Sequence, residues 1–465
     1  MAVQSDDQAV SRQDSAVPPG PKGLPLIGSA IDLLRDILSF MHRGMLEYGD
    51  VVHVTAGPPP VRVHAYGIYH PDGVQHVLAG NADNYFKGDQ VYAELIDLLG
   101  NGLLTSEGEV WKRQKRLVQP LFTHKRVAAY VPMMEEEAEG VVARWRAAAE
   151  RGEAVDLHSE MTRVTLRVVG RAVFGTDVDH MLPVFKDAVP YLSKRAFKRG
   201  LLPVRIPSGW PTPGNRRAAR DKAAIYGIVD DLIASRRRNP TEGDDLVNLL
   251  LRAQDPEGGQ GLSDDEVRDQ ALIFLMAGHE TTATSLTFTF HLLGHHPDVQ
   301  RRVHEEVDAV LTDRPLTLED VRALAYTTMT IKEAMRLYPA AHATARTPVA
   351  DDWIGGYRIP GQSSTVVVSP WVTHRHPAFW DDPERFDPER FTPEAEKARH
   401  RYAYFPFGGG PRACIGSYFS MLEAAIVTAV VMRAFDVTTD PAPVPLFTGI
   451  TLRPEGAMPA RVTPR

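Results

Sequence analysis

Apolar residues recur at three- and four-residue spacings through 133–150, 158–174, 218–235, 264–296, 297–310 and 325–338. That is the period of helices with one face turned to a core. Strand-like segments are few and short: VVHVTA (51–56), VRVHAY (61–66) and STVVVSP (364–370). They are scattered and do not alternate with the helical segments, which excludes a doubly wound α/β sheet. The fold expected is mainly α with a small β region, in a single domain over 18–465. Residues 1–17 are polar and read as a flexible tail. PPGPKGLPLIG (18–28) should run extended as a stiff lead-in. Proline-punctuated loops should dominate 374–412, and a last helix should span about 416–434.

Composition narrows the function. Of 465 residues, 43% are hydrophobic and 24% charged, an ordinary globular balance. Lys plus Arg is 52 against 59 for Asp plus Glu, so the net charge is −7 and the basic excess of a nucleic-acid binder is missing. The best apolar runs, ALIFLMAG (271–278) and AAIVTAVVM (424–432), fall short of the roughly 18 residues that cross a bilayer. The N-terminus lacks the apolar centre of a signal peptide. A cytoplasmic monomer without membrane contact is expected.

The chain has one cysteine, Cys414, so it forms no internal disulfide and no multi-cysteine zinc site. Gly408, Gly409, Gly410 and Pro411 precede Cys414, Gly416 follows it, and a helical run comes next. This is a tight loop that delivers a thiol to a helix N-terminus, where the dipole and free N–H groups favour the thiolate. The glycines let backbone approach something flat and large. Arg412 offers a cation beside it, and Phe407 covers the sulfur. Such a thiolate serves as a nucleophile or as a metal ligand. The nucleophile reading, a heme-free cysteine hydrolase, needs a histidine base, and none lies within 12 residues of Cys414.

The segment from Phe407 to Gly416 resembles the heme-binding loop of the cytochrome P450 monooxygenases, matching F-G-x-G-x-R-x-C-x-G at all six fixed positions. The resemblance implies the cytochrome P450 fold and heme b, with Cys414 as the axial ligand of the iron. It implies that Arg412 pairs with a heme propionate and that Phe407 and Gly408 lie against the cofactor. Other segments of the chain carry the same likeness in the family's order. In AGHETT, Ala277 and Gly278 let a helix approach a bulky neighbour. Thr281 would then hydrogen-bond the oxygen being activated, with Glu280 relaying protons through water. His279 occupies the variable position and reads as a packing residue. In KEAMRLYP, Glu333 and Arg336 share a helix face. By resemblance they lock to Arg390 of a Pro-Glu-Arg-Phe segment, with Arg385 of the near-duplicate as the alternative, and brace the cysteine loop. Trp111 and Lys115 share a face at i, i+4 that would meet a propionate, where Arg116 is the alternative to Lys115. Arg346 matches a further propionate-binding arginine.

The activity implied is O2 activation and hydroxylation of a hydrophobic small molecule, a secondary-metabolite intermediate rather than a simple fatty acid. Electrons would come from a separate ferredoxin or flavodoxin with an NAD(P)H reductase, since about 50 residues follow Cys414 and leave no room for a fused reductase. Oxidative coupling or peroxide-driven oxidation by the same heme-thiolate centre is the competing reading. Leu103, Leu104, Ala277, Ala341, His342 and Ala343 would line the distal pocket, with His342 and Thr344 able to anchor a polar group. The segment 185–220, carrying Lys194, Arg195, Lys198, Arg199, Arg216 and Arg217, would form a lid. A helix over 111–126 would turn Lys112, Arg113 and Arg116 outward as a docking patch for an acidic electron donor.

Overall fold

The structure, a computed structural model, describes residues 17–88, 90–176, 179, 181–202, 205–239 and 243–465. The expected tail therefore lies outside the described residues, apart from Val17. The helices predicted from periodicity are present. They run Val131–Glu150, Leu157–Phe174, Pro213–Arg238, Asp264–His295, Pro297–Val310, Ala325–Leu337 and Ser417–Ala434. The longest, Asp264–His295, starts at a reciprocal capping box between Ser263 and Glu266 and is followed at once by Pro297. It packs along Leu157–Phe174. A Cβ on Gly278 would lie 2.8 Å from Cγ2 of Val169, so this glycine permits close approach of two helices.

The main sheet has the strand order Val51–Ala56, Val63–Ile68, Ser364–Val368, Thr344–Pro348, Tyr85–Phe86. Val63–Ile68 runs parallel to Ser364–Val368, with His64 opposite Ser364. The lead-in docks on its edge, where the His53 N–H donates to the Pro19 carbonyl at 2.9 Å.

Four expectations need correction. The second strand begins at Val63 rather than 61, because Pro59–Val61 closes a 3₁₀ turn and prolines cannot donate to a ladder. The third strand stops at Val368; Ser369 then caps a helix, Pro370–Thr373. The helix expected over 111–126 is broken. It spans Gly108–Val118, gives way to a 3₁₀ turn at Gln119–Phe122 and resumes as His124–Ala128. Pro120 supplies no N–H for another helical turn. Finally, AAIVTAVVM belongs to Ser417–Ala434, which by length and composition alone suffices to cross a membrane. Every residue from Leu422 to Met432 is buried in the protein core, and this packing accounts for its apolar character.

Candidate active site

The cysteine loop is shaped by its glycines. Gly410 has φ +64°, and a Cβ there would sit 1.8 Å from the Leu78 carbonyl oxygen, so the loop rests on the turn His76–Gly80. Gly408 has φ +71° and open space around it. The Cys414 N–H donates to the Phe407 carbonyl at 2.9 Å. Gly416 then caps Ser417–Ala434, so the thiol stands just ahead of a helix N-terminus, as its neighbours imply. Cys414 is free and opens on an internal cavity of about 1350 Å³. Its depth in the fold pushes the thiol pKa up, while a hydrogen bond with the Gly416 backbone works the other way. Coordination to a metal deprotonates such a thiol outright.

Facing the loop, Asp264–His295 contributes Ala277, Gly278, Glu280 and Thr281 to the cavity wall. The Thr281 hydroxyl donates to the Ala277 carbonyl at 2.6 Å. Glu280 lies beside Arg453, 3.9 Å from carboxylate oxygen to Nε. His279 is buried, with Nδ1 2.8 Å from the Leu275 carbonyl, and packs as expected.

One end of the cavity is cationic. Lys87, Lys115, Arg346 and Arg412 all line it. Trp111 meets two of them: Lys115 Nζ lies 5.0 Å and the Arg412 guanidinium 3.9 Å from a ring centroid. Lys115 donates to the Pro411 carbonyl at 2.9 Å. Arg412 donates to the Ser106 carbonyl at 2.9 Å and to Glu107 at 2.5 Å. Arg346 donates to Thr344 at 2.9 Å and to the Ala345 carbonyl at 2.7 Å. Arg116 instead pairs with Asp255 and Glu257, at 3.1 Å each, so Lys115 and not Arg116 faces the cavity. Lys87 carries no spacing signal and went unnoticed in the sequence. Burial, then Arg346 and Arg412, pull its pKa down to about 7. A flat group bearing two carboxylates fits this site. The cationic end would hold the carboxylates, the glycines leave room for a plane, and the sulfur is open towards it.

Behind the loop, Glu333 and Arg336 are both wholly buried, joined by bonds of 2.6 and 2.8 Å. Arg336 also donates to the carbonyls of His374 (3.0 Å), Pro383 (2.6 Å) and Arg385 (3.2 Å). Arg390 Nε lies 3.5 Å from Glu333. The Arg385 side chain turns out to Asp387, so the second Pro-Glu-Arg-Phe segment supplies the cation and the first only two carbonyls, those of Pro383 and Arg385. His374, also missed in the sequence, accepts the Phe405 N–H on Nε2 at 2.9 Å. The network thus reaches the cysteine loop two residues ahead of Phe407.

Leu103, Leu104, Ala341, His342 and Ala343 line the cavity as expected, and Leu182–Leu201 covers it with Ser193, Phe197 and Gly200. The lid cations are largely engaged elsewhere. Arg199 pairs with Glu94 at 2.7 Å, Arg217 with Asp221 at 3.3 Å, and Arg195 with Asn215. The expected docking patch is also tied up: Lys112 pairs with Glu109 and Arg113 with Glu266.

The sequence profile of cytochrome P450 matches residues 18–459. The chain belongs to the cytochrome P450 family. It is similar to cyclooctat-9-en-7-ol 5-monooxygenase of Streptomyces melanosporofaciens, with 37% identity over 412 residues covering 88% of this chain and 87% of that protein. It is also similar to pentalenene oxygenase of Streptomyces avermitilis, with 34% identity over 422 residues, 90% and 91% of the two chains. The crystal structure of the cytochrome P450DA heme domain superposes with a TM-score of 0.86 at 29% identity, covering 97% of this chain and 98% of that one. This cytochrome P450 is a heme-b monooxygenase with the mainly α fold expected, acting on a hydrophobic substrate with O2 and redox partners.

Proposed function

We propose that this cytochrome P450 hydroxylates a polycyclic, largely hydrocarbon secondary metabolite of terpenoid type. The observation that carries the reading is the open sulfur of Cys414 in a large cavity that Ala277, Gly278, Glu280 and Thr281 also line. Names of its relatives, an alkenol monooxygenase and an alkene oxygenase, support a compact cyclic substrate.

In this reading the Cys414 sulfur would bind the heme iron. Trp111, Lys115, Arg346 and Arg412 would hold the two heme carboxylates, and Phe407 and Gly408 would lie against the cofactor. When bound, heme supplies the oxygen and one-electron chemistry. The chain binds, orients and moves protons. Thr281 carries a hydroxyl proton that now rests on the Ala277 carbonyl and can turn into the cavity. Glu280, held near Arg453, exchanges protons with water and passes them to Thr281. Leu103, Leu104, Ala277, Ala341 and Ala343 press the substrate's apolar surface and keep water out. Glu333, Arg336 and Arg390 hold the loop that presents the sulfur. A separate ferredoxin or flavodoxin, reduced through an NAD(P)H reductase, delivers electrons to the monomeric enzyme in the cytoplasm.

The test is a reduced carbon-monoxide difference spectrum of wild type and Cys414→Ser, followed by product analysis with cyclic terpenes. A thiolate spectrum lost in the serine variant, together with a hydroxylated product, supports the reading. A spectrum indifferent to the substitution refutes it.

A further inference from the structure

We propose that this enzyme selects a substrate already bearing a hydroxyl group, which His342 and Thr344 bind at the cavity wall. The proposal rests on the terpenoid reading above and narrows it. His342, Thr344 and Arg346 occupy alternate positions on the approach to and along the strand Thr344–Pro348, and all three line the cavity. Alternate positions on a strand share a face. The ladder therefore runs from the cationic end at Arg346 to the apolar end, where Ala341, Ala343, Phe197 and Ile450 stand.

His342 is 3% exposed, and its Nε2 lies 3.1 Å from the Gly449 carbonyl. A carbonyl oxygen only accepts, so Nε2 carries the ring proton. Burial lowers the imidazole pKa, which keeps the ring neutral and leaves Nδ1 a bare acceptor. Nδ1 is closed to water and has no hydrogen-bond partner. Buried acceptors are seldom left so, and this one belongs to a side chain on the substrate cavity. Phe197, from the helix that covers the cavity, stands edge-on to the imidazole with 6.1 Å between centroids. Nδ1 is closed off as it stands, so a ligand reaches it only if side chains around His342, Phe197 among its neighbours, move aside. Two residues on, the Thr344 hydroxyl accepts from Arg346 at 2.9 Å and lies 3.3 Å from the Tyr92 hydroxyl, a second polar foothold beside the first.

The chemistry at His342 is specific. An O–H donates to Nδ1. A ketone or an ether brings only acceptors, and a carboxylate would set negative charge against a lone pair. Leu98, Leu99, Leu103, Ile273 and Phe274 also line the cavity and favour a ligand whose remaining surface is largely apolar. The reaction that supplies this substrate therefore installs a hydroxyl, by water capture of a cyclised carbocation or by an earlier hydroxylation.

Ligand-induced spin-state titration of the ferric holoenzyme with cedrol and with cedrane, its parent hydrocarbon, tests the proposal. Wild type should bind cedrol on the order of tenfold tighter, since a site built around a hydrogen bond rejects the analogue that lacks it. His342→Phe should erase that preference, so that cedrol and cedrane bind with similar dissociation constants. Thr344→Val, close in shape, should cut the ratio of cedrol to cedrane affinity several-fold, and it stands in if the Phe variant loses its carbon-monoxide spectrum. Equal affinities in wild type, or an alcohol preference that survives in both variants, overturns the proposal. If neither ligand shifts a wild-type enzyme whose carbon-monoxide spectrum is intact, the terpenoid reading fails and this proposal fails with it.

Discussion

Arg336 holds Glu333 with two hydrogen bonds at a depth where neither side chain reaches solvent. The pair is not isolated, because the same guanidinium binds three backbone carbonyls of the segment leading to the cysteine loop. Removing one member of a buried pair leaves the other charge uncompensated, at a cost of about 3–5 kcal/mol. Glu333→Ala should therefore lower the urea midpoint and the heme content of purified protein together. Arg385→Ala should do neither, since that side chain is exposed and only its carbonyl is used. Normal heme loading in Glu333→Ala would contradict the bracing role.

Lys87 should make the heme-free protein sensitive to pH. Its folded pKa is about 7 against an ordinary 10.5, so between those values the unfolded chain holds a proton that the folded chain has given up. Stability of the heme-free protein should then rise as pH increases through that window, and fall on acidification towards 7. Two heme carboxylates beside Arg346 and Arg412 would raise the pKa again, and the slope should flatten in the holoenzyme. Urea midpoints measured from pH 7 to 10 check both signs. Lys87→Met should abolish the slope without heme; a slope that persists would assign it to another group.

Thr281→Ala should uncouple the reaction. The hydroxyl that now rests on Ala277 is the proton-bearing group on this wall nearest in sequence to Glu280, and alanine removes it without altering helix packing. Product formed per NAD(P)H consumed should fall well below wild type while NAD(P)H oxidation continues. Thr281→Ser should retain most of the coupling. Unchanged stoichiometry in the alanine variant would show that the proton takes another route.

Much of this architecture was legible in the sequence because it is local. The helix periods, the glycines around Cys414 and the Glu333–Arg336 spacing each report on a few consecutive turns. What was missed depends on distance or on a single proline. Lys87 meets Glu107 across 20 residues, Glu280 meets Arg453, and His374 meets Phe405; no spacing rule announces such meetings. Pro120 ended a helix that the basic pattern of 111–126 suggested would continue. That break matters, because it sets Lys125 and Arg126 on a separate short helix, His124–Ala128, while Arg113 and Arg116 are held in ion pairs.

Docking of the electron donor should therefore depend on Lys125 and Arg126 rather than on Arg113. Arg113 bonds Glu266 and the Gly261 carbonyl, each at 2.6 Å, and so ties Gly108–Val118 to the start of the long helix. Lys125 and Arg126 are exposed on His124–Ala128. That helix lies on the cysteine side, where His124 packs against Tyr418 with 4.2 Å between ring centroids. Reversing both charges, Lys125→Glu with Arg126→Glu, should slow ferredoxin-driven turnover several-fold at low salt, with the difference shrinking as salt screens the charges. Peroxide-driven turnover should be spared. Arg113→Glu should lower both activities, because it places a like charge against Glu266 and strains the fold. Should the double reversal depress peroxide-driven turnover equally, these cations serve the structure and the donor binds elsewhere.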